Sequence, residues 1–147
     1  MYFNSSFNNK TLDEYKKKLD SIDLNLADLE IIACIIIIIG SLILILSAKL
    51  NKKEIYDKTY GKNNIKASQV TYMAFLVEFI GIFLFLYVSL SRKNQIICKK
   101  NLGITKESIL PYDLISSGYS INLFSNLVKI MGAYNMNNLN FNNKSPV

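Results

Sequence analysis

The chain has 147 residues and a formal net charge of +6, and half of its residues are hydrophobic, yet its mean hydropathy is only mildly positive. Its apolar residues must therefore be gathered in blocks separated by polar segments. It has no histidine, which excludes histidine-activated nucleophiles and histidine metal sites, and its two cysteines have no metal-ligand spacing.

Residues 1–10 lack periodicity and read as a flexible start. From Thr11 to Asp28 the chain reads as an amphipathic helix, opened by a T-x-x-E capping box at Thr11 and Glu14. Leu12, Tyr15, Leu19, Ile22, Leu26 and Leu29 follow at spacings of three and four, the a/d seam of a coiled coil. Asp13–Lys17 and Glu14–Lys18 are i,i+4 pairs in the favourable order.

Residues 29–50 form the first apolar block, with IACIIIIIGSLILIL as its core. At about 1.5 Å per residue this is roughly 33 Å of helix, enough to cross a bilayer. A secretory signal is not the expected reading. The preceding segment is long and acidic (Asp20, Asp23, Asp28, Glu30), the apolar core is too long, and Leu46-Ser47-Ala48 is a poor cleavage site. The heptad frame continues through Ala33, Ile36, Gly40, Ile43 and Ser47, so that small residues recur every seventh place. Small residues let helix backbones approach closely in lipid, which suits packing on the second span or on another copy.

Residues 51–69 are a basic connection with turn chemistry at Gly61 and Asn63-Asn64. The second block, VTYMAFLVEFIGIFLFLYVSL, spans 70–90, and 91–108 is again basic and turns loop-like at Asn101-Leu102-Gly103. The basic residues thus flank the blocks and form no single patch, which points to lipid headgroups and away from nucleic acid.

Pro111 opens a third element within 109–134, since proline is tolerated in a first helical turn. Gly118, Asn122, Ser125, Asn126, Lys129 and Ala133 share one side of it, and Leu123, Phe124, Leu127, Val128, Ile130 and Met131 the other. The polar content favours an amphipathic helix lying in the interface, with a third span as the alternative. Residues 135–147 form an Asn-rich tail that reads as disordered.

The expected fold is therefore an all-α integral membrane protein. Its N-terminal amphipathic helix runs into a two-span hairpin, followed by a third amphipathic helix. The expected location is the plasma membrane, multi-pass. The positive-inside rule discriminates weakly: Lys49, Lys52, Lys53, Lys58, Lys62 and Lys66 lie between the blocks. Lys16, Lys17, Lys18, Arg92, Lys93, Lys99, Lys100 and Lys106 oppose them, a slight excess that puts both termini inside if there are two spans.

No metal cluster, phosphate loop or nucleophile–base arrangement is present, so neither catalysis nor a cofactor is expected. Glu78 is the polar feature at depth. An acid at a helix centre costs about +2.5 to +3.5 kcal/mol, against roughly −0.3 to −0.6 for each Leu, Ile, Phe or Val, so the span inserts despite it. Thr71, Ala74, Glu78 and Gly81 share one face. In an antiparallel hairpin Glu78 lies at the depth of Gly40 to Ile43, with Ser41 or Lys129 as its expected partner. The functional expectation is an oligomerising or accessory membrane subunit that acts by helix association, in a bilayer and with a homo-oligomer or membrane partner. A holin-like or channel-forming protein that uses Glu78 and the small helix faces is the alternative.

Overall fold

The computed structural model describes the backbone of residues 5–59 and 67–142, with side chains from 13–56 and 67–138. These form three helices: α1 (Ser5–Thr59), α2 (Ala67–Asn101) and α3 (Leu110–Asn142). The order is antiparallel throughout. α2 packs against both neighbours, and among the described residues the backbones of α1 and α3 do not approach each other closely. Two of the helices, over Asp13–Tyr56 and Ala67–Asn101, are long and apolar enough to cross a membrane.

Every helix runs further than its apolar block. α1 begins at Ser5, so Thr11 lies inside the helix and does not cap it, and residues 5–10 are helical where a flexible start was expected. At its other end α1 continues through the basic segment to Thr59. α2 includes 91–101, expected as linker, and α3 includes 135–142, expected as disordered tail. The reason is common to all of these. A change from apolar to polar composition does not end a helix; a breaker does. Lys52, Lys53 and Glu54 are good helix formers, no glycine or proline precedes Gly103 in the 91–101 segment, and none follows Gly132 until Pro146. The turn signals at Gly61 and Asn63-Asn64, residues 1–4 and the tail beyond Asn142 lie outside the described residues.

α2 ends in a Schellman motif. Gly103 has φ 69°, the Gly103 N–H donates to the Lys100 carbonyl (3.0 Å), and the Ile104 N–H donates to the Lys99 carbonyl (2.8 Å). Only glycine takes that φ without a Cβ penalty, which is why the helix stops there. At the opposite end, the Ala67 N–H that opens α2 donates to the Glu54 carboxylate of α1. This satisfies an orphan first-turn amide with a group that also suits the helix dipole.

The packing has a period of seven. On α1 the buried positions are Leu19, Leu26, Ala33, Gly40 and Ser47. On α2 they are Ala67, Ala74, Gly81, Val88 and Gln95, with Ile82, Ser89 and Ile96 as a second row beside them. Such a repeat keeps the seam facing its partner by left-handed supercoiling. The α1 seam is thus covered from within the chain by α2. Leu29 is half-buried, whereas Ile22 (37 % exposed) stays open between buried Leu19 and Leu26, and Tyr15 (58 % exposed) lies beyond them. The Leu12 side chain is outside the described residues. Asp13 pairs with Lys16 (3.8 Å) and not with Lys17.

Two glycines set the α1–α2 distance. A Cβ at Gly40 would stand 2.6 Å from the Glu78 Cγ and 3.3 Å from the Ala74 carbonyl oxygen. One at Gly81 would stand 2.6 Å from the Ile37 Cγ1 and 3.1 Å from the Ala33 carbonyl oxygen. Each glycine therefore faces an alanine backbone across the interface. Gly81→Val is expected to cost about 1–3 kcal/mol of packing by overfilling. The check is disulfide formation between cysteines placed at Ser47 and Thr71, whose hydroxyls lie 2.6 Å apart. That link should weaken in Gly81→Val and persist in Gly118→Val, where a Cβ meets open space.

Candidate functional site: a polar groove between α1 and α3

Cross-helix contacts fix the levels at which the three helices meet. Between α1 and α2 they run from Ser47–Thr71 (2.6 Å) through Ser41–Glu78 (3.4 Å) and Glu30–Arg92 (2.6 Å) to Asp23–Lys99 (2.7 Å). Between α2 and α3 they run from Tyr72–Tyr134 (6.0 Å between ring centroids) through Phe75–Lys129 (5.9 Å from Nζ to the ring centroid) and stacked Phe85–Tyr119 (5.2 Å) to Ser89–Ser116 (2.7 Å) and Lys93–Asp113 (2.6 Å).

At about 100° per residue, the α2 positions that meet α1 (Thr71, Ala74, Gly81, Arg92) and those that meet α3 (Tyr72, Phe75, Ser89, Lys93) lie roughly a third of a turn apart. α1 and α3 therefore flank α2 with their backbones apart, and a groove runs between them with α2 as its floor. Glu78, Phe85 and Arg92, seven apart, lie along that floor. At one end the groove widens into a cavity of about 230 Å³ whose lining includes Glu30 of α1, Phe85 and Arg92 of α2, and Ile115 and Tyr119 of α3. Ile115 thus faces the groove, and Asn122 and Lys129 continue its row at intervals of seven.

Glu78 sits where the sequence suggests a small-residue crossing. Its Cγ fills the space above Gly40, and its carboxylate accepts from the Ser41 hydroxyl at 3.4 Å, a long and therefore weak bond. Lys129 is not paired with it. The ammonium lies over the Phe75 ring, three residues from Glu78 on the same helix and so within about one turn of it. Among the described residues neither Glu78 nor Lys129 has an ion-pair partner. Gly40 and Gly81 lie at the α1–α2 contact behind the groove and bring its floor and one wall together.

Three features were not anticipated from the sequence. The first is a set of ion pairs at one end of the bundle: Asp23–Lys99, Glu30–Arg92 and Lys93–Asp113. Their signal is legible in retrospect, because Asp23 and Glu30 are seven apart, as are Arg92 and Lys99. All are partly exposed, so each contributes at most about 1 kcal/mol. The second is a hydroxyl cluster at the other end. The Ser47 and Thr71 hydroxyls both reach the Ala67 carbonyl, at 2.9 and 3.1 Å, so that one proton serves the carbonyl and the other bridges the two hydroxyls. The third is Asn126, fully buried on α3 against α2, with neither amide atom hydrogen-bonded.

Chemically, the groove offers the paired Glu30 and Arg92 at its wide end, and Glu78, Lys129, an amide and a hydroxyl further along, between apolar walls. This is equipment for holding a charged or hydrogen-bonding partner. Among the described residues there is no group of three His, Cys, Asp or Glu side chains able to hold a metal ion. Comparison with protein-family models, with curated proteins and with solved structures returns no match, so function must be argued from this geometry.

Two outcomes follow. A buried amide without partners costs about 1–3 kcal/mol relative to a satisfied or apolar group. Asn126→Leu is therefore expected to raise resistance to denaturant unfolding in detergent, and a loss of stability would contradict the burial. Lys99, half-buried, is held above its ordinary value of 10.5 by its hydrogen bond to Asp23. A raised lysine value means that this contribution is fully present below pH 10.5 and is lost as pH climbs through the folded value. Alkaline titration of stability should therefore show a loss above pH 10.5 that Lys99→Met removes.

Proposed function

We propose that the chain is a three-span membrane protein that works by helix association, as an oligomerising or accessory subunit, and carries out no catalysis. One observation carries the reading. Most of the exposed large apolar side chains lie at one level on all three helices, from Ile31 to Leu46 on α1, Met73 to Leu90 on α2 and Leu114 to Tyr134 on α3, with a few others, such as Leu24, Tyr56 and Leu102, beyond it. The cross-helix contacts put these stretches side by side, and at 1.5 Å per residue they run from about 24 Å on α1 to about 32 Å on α3, close to a bilayer's hydrocarbon thickness. Such a belt in water would be a severe aggregation liability.

The third helix supports the span over the interfacial alternative. Its inward seam includes Ser116, Asn126, Ala133 and Asn137, while Ile121, Phe124, Val128 and Met131 point away from the bundle. It lies along α2 for most of its length, whereas an interfacial helix would lie across the bundle's end. Apolar outside and polar inside is the order a lipid-facing helix requires. Lys129 stands within the α3 belt, five residues inside Tyr134, with its ammonium held over the Phe75 ring.

A second reading, a channel former, has one observation in its favour: Ser41, Glu78, Asn122 and Lys129 give the groove a polar lining within the belt. It predicts that expression makes cells leak ions and that Glu78→Leu changes the leak. Association alone predicts no leak.

Reporters fused after Lys100 and after Ser145 test the span. Opposite sides are expected for three spans. The same side would make α3 interfacial and remove the reading.

A further inference from the structure

We propose that the groove between α1 and α3 is the dimer interface of the protein, filled by the same groove of a second copy, with Glu78 of each copy paired to Lys129 of the other. This deepens the association reading and rests on α3 being a span.

The argument starts from charge. Glu78 and Lys129 are an acid and a base at the level of the apolar belt, and neither is ion-paired among the described residues. They are near in depth but stand on different sides of the groove. Glu78 leans to α1 through Gly40 and Ser41, and Lys129 stands on α3 over Phe75. Within the chain they form no ion pair, the Glu78 carboxylate being turned to Ser41 and the Lys129 ammonium to Phe75. Left so in hydrocarbon, both are costly, and intramembrane charges ordinarily find a partner.

Symmetry then selects the partner. Copies inserted in one orientation are related by an axis along the membrane normal, which preserves depth. When two identical faces meet across a two-fold axis, the left side of one meets the right side of the other. The α1 wall of each copy therefore faces the α3 wall of its mate, bringing Glu78 and Ser41 opposite Lys129 and Asn122. The groove is self-complementary in charge, and the four-charge layer is neutral. A two-fold contact through α3 alone would instead set Lys129 against Lys129. On the flank of α3, Gly118 and Gly132 leave open space where another backbone can approach, since a Cβ there meets nothing within 4 Å.

The test is a charge swap between two differently tagged chains expressed together, with dimer fraction read in membranes by co-purification after cross-linking. Glu78→Lys alone sets lysine against lysine, and Lys129→Glu alone sets glutamate against glutamate. Each is expected to lower the dimer fraction at least about tenfold, because like charges across an interface are strongly unfavourable. Mixing the two variants sets lysine against glutamate at both contacts and should restore dimers between the two tags, to about the unaltered level. An ion pair inside one chain could not be rescued by mixing. Retention of the link between cysteines placed at Ser47 and Thr71 shows that each variant still folds.

A second probe leaves the charges alone. Cys34, exposed on α1, should cross-link in a Cys98→Ser background to Asn122→Cys of a second chain that lacks Cys34 and Cys98. It should not cross-link to Val128→Cys, on the outer side of α3. No dimer in the unaltered protein, or no rescue on mixing, overturns the inference. A dimer linked through Val128→Cys overturns the groove while leaving association standing. Reporters on the same side after Lys100 and Ser145 remove the three-span reading on which both depend.

Discussion

The close approach of α1 and α2 at Gly40 and Gly81 is the constraint on which the rest depends. With hydrogen in place of a side chain, each glycine lets the opposite backbone within ordinary contact: Gly40 against Ala74, Gly81 against Ala33. The Glu78 side chain can then lie across Gly40, where any Cβ would meet it at 2.6 Å. A wider separation would take Glu78 away from Ser41 and break the register that carries Thr71 to Ser47 and Arg92 to Glu30. In a bilayer, where lipid competes equally well for every leucine, helix association would rely on such contacts.

From that contact α2 becomes the hub. Its two heptad rows, offset by about a third of a turn, serve one neighbour each, so α1 and α3 are held on adjacent sides with a groove between them. The ends are closed by polar chemistry: carboxylate–ammonium and carboxylate–guanidinium pairs at one end, hydroxyls and the Glu54 carboxylate on the first amide of α2 at the other. Between the ends the outward surface is mostly apolar, and apart from Ser117 and Ser125 the polar groups turn into the groove or the α2–α3 seam. This distribution inverts that of a water-soluble bundle, and it gives α3 a seam of Ser116, Asn126 and Asn137 beneath an outward face of Ile121, Phe124 and Met131.

Much of this was legible in residue spacing. The interval of seven from Leu19 to Ser47 could be followed by eye because leucine, alanine, glycine and serine contrast with the isoleucines around them. The same holds for Thr71, Ala74, Glu78 and Gly81. Element ends were harder, since Lys52, Arg92 and Asn135 change composition without breaking a helix. The site as a whole was not legible, because a groove belongs to the angle between two contacts on α2, and no single helix encodes it. Lys129 illustrates the point: its depth near Glu78 follows from antiparallel counting, but its place over Phe75 on the far wall needs the α2–α3 contact. Asn126 was read as part of a polar stripe, whereas its complete burial depends on which side of α3 meets α2.

The central claim is that α3 crosses the bilayer beside α2. Spin labels placed singly at Leu114, Ile121, Phe124, Val128 and Met131, with immersion depth measured by collision with oxygen and with a water-soluble relaxant, test it most directly. The depth should pass from shallow at Leu114 to a maximum near Phe124 and become shallower again at Met131. A constant shallow depth along the whole series would put α3 in the interface and contradict the three-span bundle.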